Sequence, residues 1–103
     1  MKNIQLYIGE EPYGIKIRIN RNIENSGVDE FNITTYDLEV DSLDSAIEDA
    51  MTIPFMSEEK IVILKNPIFL TKNSNVKDYS LFMNNLKKPM ESTTLIINAG
   101  SLV

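Results

Sequence analysis

An open α/β fold is predicted, with a parallel four-stranded sheet and flanking helices. Three observations carry this. Short β-branched apolar runs alternate with helical patterns along the whole chain. The longest such run, Ile61-Val62-Ile63-Leu64, is unbroken by polar residues, as suits a strand covered on both faces. The segments between strands are long enough for crossover helices, which join parallel neighbours with right-handed connections.

Ile4-Gln5-Leu6-Tyr7-Ile8 reads as a buried first strand ended by Gly9. Pro12 suits a first helical turn, and a helix is expected from about Pro12 to Asn25, with Ser26-Gly27 as its stop. Phe31-Asn32-Ile33-Thr34-Thr35-Tyr36 alternates apolar with polar residues and predicts a second strand. The second helix spans Asp41 to Ala50. It opens on a cap and repeats apolar residues at Leu43, Ala46, Ile47 and Ala50, one face of a 3.6-residue period. Pro54 prevents its continuation. After the Ile61–Leu64 strand comes a loop over 66–75. A third helix is expected to open at Ser74-Asn75-Val76, with Tyr79, Phe82, Met83 and Leu86 on its core face. Lys87-Lys88 suit its negative end, and Pro89 follows it. Ser92 to Ala99 is the fourth strand. The chain is read as one domain, residues 1–103, cut from a longer protein.

Composition excludes several kinds of chemistry. The 103 residues contain no cysteine and no histidine. Disulfides, thiolate metal sites and the common catalytic triads are therefore ruled out. The net charge is -5, and the basic residues form no stripe, so direct DNA binding by this domain is not expected. No apolar run approaches the length of a membrane-spanning helix. Asp37, Glu39 and Asp41 lack the glycine and distal glutamate of a calcium loop and read as a solvated turn.

In open parallel sheets, ligands bind beyond the carboxyl ends of the strands. After the first strand the chain reads Gly9-Glu10-Glu11-Pro12-Tyr13-Gly14-Ile15-Lys16. Gly9 and Gly14 keep the glycine spacing of a phosphate-binding loop, but Ile15 stands in the lysine position and Lys16 in the hydroxyl position. Glu10 and Glu11 add like charge against a phosphate, and Pro12 removes a backbone donor. Adjacent acids at a helix start also suit its dipole. The strand that should end in a magnesium-holding acid ends in Lys65-Asn66. The pattern is that of a P-loop NTPase-like domain with a degenerate phosphate loop, Gly9, Glu10, Glu11 and Gly14. A small nucleotide-binding enzyme with an atypical loop is the alternative. A receiver-like signalling domain shares the alternation but would need acids at the ends of strands one and three.

Three blocks resemble one family: Leu6 to Tyr13, Ala50 to Asn66, and Pro89 to Ile97. They resemble the delta subunit of bacterial DNA polymerase III, the subunit of the clamp loader that opens the clamp. The resemblance implies an AAA+-like domain that binds no ATP, strand order two, three, four, one, and no cofactor, metal or catalysis within the domain. It implies a cytoplasmic replication protein within the DNA polymerase III holoenzyme, whose DNA-directed DNA polymerase activity lies elsewhere. It implies the sliding clamp (beta subunit) as partner, with the other loader subunits held through a missing C-terminal part and DNA met only indirectly. The family's grip is an aliphatic residue followed at once by an aromatic one, in the segment between the second helix and the next strand. Here that segment is Ile53, Pro54, Phe55 and Met56, and Pro54 interrupts the pair. Phe and Met are common at interface centres, although the same cluster also suits packing into the domain's own core.

Overall fold

The computed structural model describes residues 4–9, 11–71, 74 and 76–100. Four strands, β1 (Ile4–Ile8), β2 (Ile33–Asp37), β3 (Lys60–Lys65) and β4 (Thr93–Ala99), form one sheet in the order β1-β4-β3-β2. All neighbours are parallel, with Ile4 opposite Leu95, Lys60 opposite Thr93 and Ile33 opposite Ile61. This is the expected sheet and strand order.

Helix α1 (Pro12–Ser26) covers one face, and α2 (Leu43–Ala50) and α3 (Ser80–Lys87) cover the other. Successive strand residues point to opposite faces, so β4 divides its side chains between two cores. Ile96 packs with Ile15, Ile19 and Ile61 beneath α1. Leu95 and Ile97 pack with Val62, Leu64, Leu43, Ala46 and Ile47 on the α2 side. The four apolar positions of α2 are all buried, and Ser42 caps the helix by accepting from the Ser45 N–H at 3.1 Å. Gly27 ends α1 in the left-handed region at φ 73°, where a Cβ is disfavoured.

Four expectations need correction. First, β1 is not buried throughout: Leu6 and Ile8 are 51% and 68% exposed, because β1 lies at the sheet edge. Second, the second strand begins at Ile33. Phe31 sits in a 3-10 turn over Glu30–Asn32, opened by the Asp29 carboxylate, which accepts from the Phe31 N–H at 3.0 Å.

The third concerns the start of α3, which is Ser80 rather than 74–76. Before it, the Tyr79 hydroxyl bonds to Ser74 Oγ and to the Phe69 carbonyl, tying the segment down in a non-helical path. Asn75 lies outside the described residues. Fourth, of the face assigned to α3, Phe82 is buried and stacks edge-on with Phe69 at 5.1 Å between ring centroids. Tyr79 is half-buried, whereas Met83 and Leu86 reach solvent. No helix among the described residues is long and apolar enough to cross a membrane.

Candidate functional site

Because every strand runs the same way, the loops divide into two sets. Those after the strands lie at one end of the sheet, and those before the strands lie at the other. The residues picked out by sequence fall at opposite ends. Gly9, Glu11 and Gly14 follow β1, whereas 53–56 precede β3.

At the β1–α1 junction two backbone donors are already taken. The Glu11 carboxylate caps α1, accepting from the Gly14 N–H at 2.6 Å and the Tyr13 N–H at 3.2 Å. A side chain at position 14 would run into that carboxylate, with its Cβ only 2.8 Å from Glu11 Oε2. Glu11 therefore lies just before the first turn, as the cap itself. Glu10 lies outside the described residues. Ile15 is 1% exposed, and its Cδ1 would lie 3.1 Å from a Cβ at Gly9 and 2.9 Å from one at Gly100. The two glycines, at the ends of adjacent strands, let this side chain seat against the sheet.

The loop between α2 and β3 is built differently. Ile53, Phe55 and Met56 are 74%, 68% and 90% exposed, and Pro54 is half-buried. Apolar side chains so exposed would leave water if the backbone let them. Here the backbone is tethered at three places. At its start, Met51 and Thr52 continue the last turn of α2, their N–H groups donating to the Ile47 and Asp49 carbonyls at 3.0 Å, and Thr52 Oγ1 donates to the Glu48 carbonyl at 2.8 Å.

Across its base, Lys60 donates to the Asp49 carboxylate at 2.5 Å and to the Asp49 carbonyl at 2.7 Å. Tyr36 donates to the other carboxylate oxygen at 2.6 Å. Burial pushes the Asp49 carboxyl up, but the hydrogen bonds from Lys60 and Tyr36, with the Lys60 charge, outweigh it and hold it below the usual range. Burial, and then the hydrogen bond to Asp49, push the Tyr36 hydroxyl up to about 12.

The third tether is at the centre. Asn32, 4% exposed, accepts from the Phe55 N–H at 2.7 Å and donates to the Phe55 carbonyl at 2.9 Å. One amide thus pairs with both backbone groups of Phe55, as a neighbouring strand would. The Asn32 amide nitrogen also reaches the Asp29 carboxylate at 3.3 Å. Met56 then takes φ 51°, a left-handed conformation that costs an ordinary residue about 1 kcal/mol. Outliers of this kind cluster at functional sites.

Phe31, Asn32, Asp49 and Lys60 were not picked out from the sequence. The spacing Asp29…Asn32, with a lone lysine at the head of an apolar run, is the signal that could have found them.

Asp37, Glu39 and Asp41 form a turn at the other end of the sheet. Asp37 accepts from the Glu39 N–H and from Asn66 Nδ2, both at 3.0 Å. The hydrogen bond from Asn66 is the main reason its carboxyl lies below the usual range.

The family model for the DNA polymerase III delta subunit matches residues 6–101. Over 66 residues the chain is 46% identical to the DNA polymerase III subunit delta of Bacillus subtilis (strain 168), covering 61% of this chain and 19% of that protein. The fold matches the Bacillus subtilis DNA clamp loader delta protein with a TM-score of 0.81 and 30% identity, covering 97% of this chain and 32% of the other. The chain thus spans a third or less of the length of these relatives.

Proposed function

Because the chain belongs to the DNA polymerase III delta subunit family, we propose that it is the clamp-gripping domain of a clamp loader, and that it works in DNA replication without binding ATP. The observation that carries this is the exposure of Ile53, Phe55 and Met56 on a tethered loop. Phe55 is the anchor, flanked by Ile53 and Met56, and Pro54 is half-buried. A rigid aromatic on a fixed backbone gives up little conformational freedom on docking, so more of its burial appears as affinity. The partner is the sliding clamp, and the task is to hold one face of the ring while an interface opens.

Absence of ATP binding is supported at the other end of the sheet. The Glu11 carboxylate occupies N–H groups that would face a phosphate, and Ile15 is buried where a P-loop lysine would reach out. The fold is then an ATPase-like scaffold kept for its shape. Assembly with other loader subunits is assigned to segments such as those the relatives carry beyond the stretch this chain matches.

Binding of the intact subunit to its organism's sliding clamp is the test. Phe55→Ala should weaken it about 30-fold or more, the scale of a hot-spot truncation of 2 kcal/mol or above. A loss below about 3-fold would remove Phe55 from the interface. Calorimetric titration with magnesium–ATP should give no heat of binding, and micromolar affinity would overturn the nucleotide-free assignment.

A further inference from the structure

The grip at 53–56 is flanked by a second segment that resemblance did not point to. The turn before β2 and the loop before β3 lie at the same end of the sheet, on adjacent strands. Phe31 in that turn is 80% exposed, more than Phe55. The next residue, Asn32, is buried and spends its amide on the backbone of Phe55. We propose that the clamp-binding surface is bipartite: Phe31 is a second anchor, and Asn32 is the positioning residue that holds Phe55 in register with it. This rests on the clamp-gripping assignment above.

Three features support a built arrangement. Asp29 accepts from both the Phe31 N–H and the Asn32 amide, so one carboxylate orients the anchor and the positioning residue together. An amide spanning the N–H and C=O of a single residue fixes that residue's peptide planes, and hence the direction in which its ring leaves the backbone. Finally, Asn32 is buried while Phe31 and Phe55 are exposed, so the bonds between its amide and the Phe55 backbone lie beneath the apolar surface. Such an arrangement keeps water out of the supporting hydrogen bonds when a partner covers the rings.

The test is a double-mutant cycle on the intact subunit, with clamp affinity and thermal midpoint measured together. Asn32→Ala is expected to weaken clamp binding about 10-fold in the native background and less than about 2-fold when Phe55 is already Ala, because it acts through Phe55. An equal loss in both backgrounds, or a loss below about 3-fold in the first, overturns the positioning role. Should Asn32→Ala fail to fold, Asp29→Ala removes the exposed carboxylate instead. It is expected to give a smaller loss that falls, in the Phe55→Ala background, to the part Asp29 carries through Phe31, and an undiminished loss overturns the role. Phe31→Ala should weaken binding about 5-fold or more with an unchanged thermal midpoint, and an effect under about 2-fold overturns the second anchor. A Phe55→Ala variant that binds normally would instead sink the clamp-gripping assignment itself, so the two failures are distinguishable.

Discussion

Lys60 brings a charge to an 8% exposed site, and the arrangement holds only because Asp49 meets it there. Removing one member of such a pair strands the other, at a usual cost of 3–5 kcal/mol. The Asp49 side chain keeps 23% of its surface in water, so Lys60→Met should cost roughly 3 kcal/mol, the low end of that range, by urea denaturation. The same cluster gives a pH dependence with two limbs. The carboxyl of Asp49 lies below its ordinary range, so its contribution is present above that range and is lost as pH falls through it. The Tyr36 hydroxyl is raised from 10.0 to about 12, so its contribution is complete below pH 10 and fades as pH climbs towards 12. Tyr36→Phe should abolish the alkaline limb and keep the acid one, measured as the urea midpoint against pH. Thr93 supplies a contrast: its hydroxyl is buried without a hydrogen-bond partner. Thr93→Val should therefore raise stability by about 1 kcal/mol.

At the scale of elements, helix ends carry much of the local specification. Glu11 satisfies two N–H groups at the head of α1, and Glu11→Ala should cost about 1 kcal/mol. At the tail, Gly27→Ala forces a Cβ into the left-handed region and should cost about 1–2 kcal/mol. Chemical denaturation of each variant checks both. The legible elements were those in which local pattern and burial agree. The four apolar positions of α2 and the unbroken run of β3 are the cases in point. Ser74 resembles a helix cap, so the local pattern places the start of α3 too early. What sets the boundary is Asp78, whose carboxylate takes the Ser80 N–H at 2.9 Å while Tyr79 is held by Phe69 and Ser74. Side-chain hydrogen bonds within the preceding loop decide this boundary, and no periodicity records them.

For the whole molecule, the sheet has two unequal margins. Among the described residues, β1 has no neighbour on its outer side, and Leu6 and Ile8 are exposed there. An uncovered apolar edge strand invites pairing. The 103-residue chain should associate at rising concentration in sedimentation runs, and Leu6→Lys should suppress this. The candidate surface was only half legible at this scale. Ile53, Phe55 and Met56 stand out as an apolar cluster, but composition does not say whether such a cluster faces inward or out. The alternation from Phe31 to Tyr36 places Phe31 in a strand. Its exposure follows from the Asp29 turn, which delays β2 by two residues.

The seat of Ile15 has one more consequence. Its methyl groups fill the gap left by two missing side chains, so a lysine introduced there would have nowhere to send its ammonium except into hydrocarbon. A side chain added at Gly9 or Gly100 would meet the same obstacle from the other side, because Ile15 Cδ1 lies about where its Cβ would need room. Position 15 is thus bound to the inside of the molecule, and the two strand-end glycines and this isoleucine can change only together.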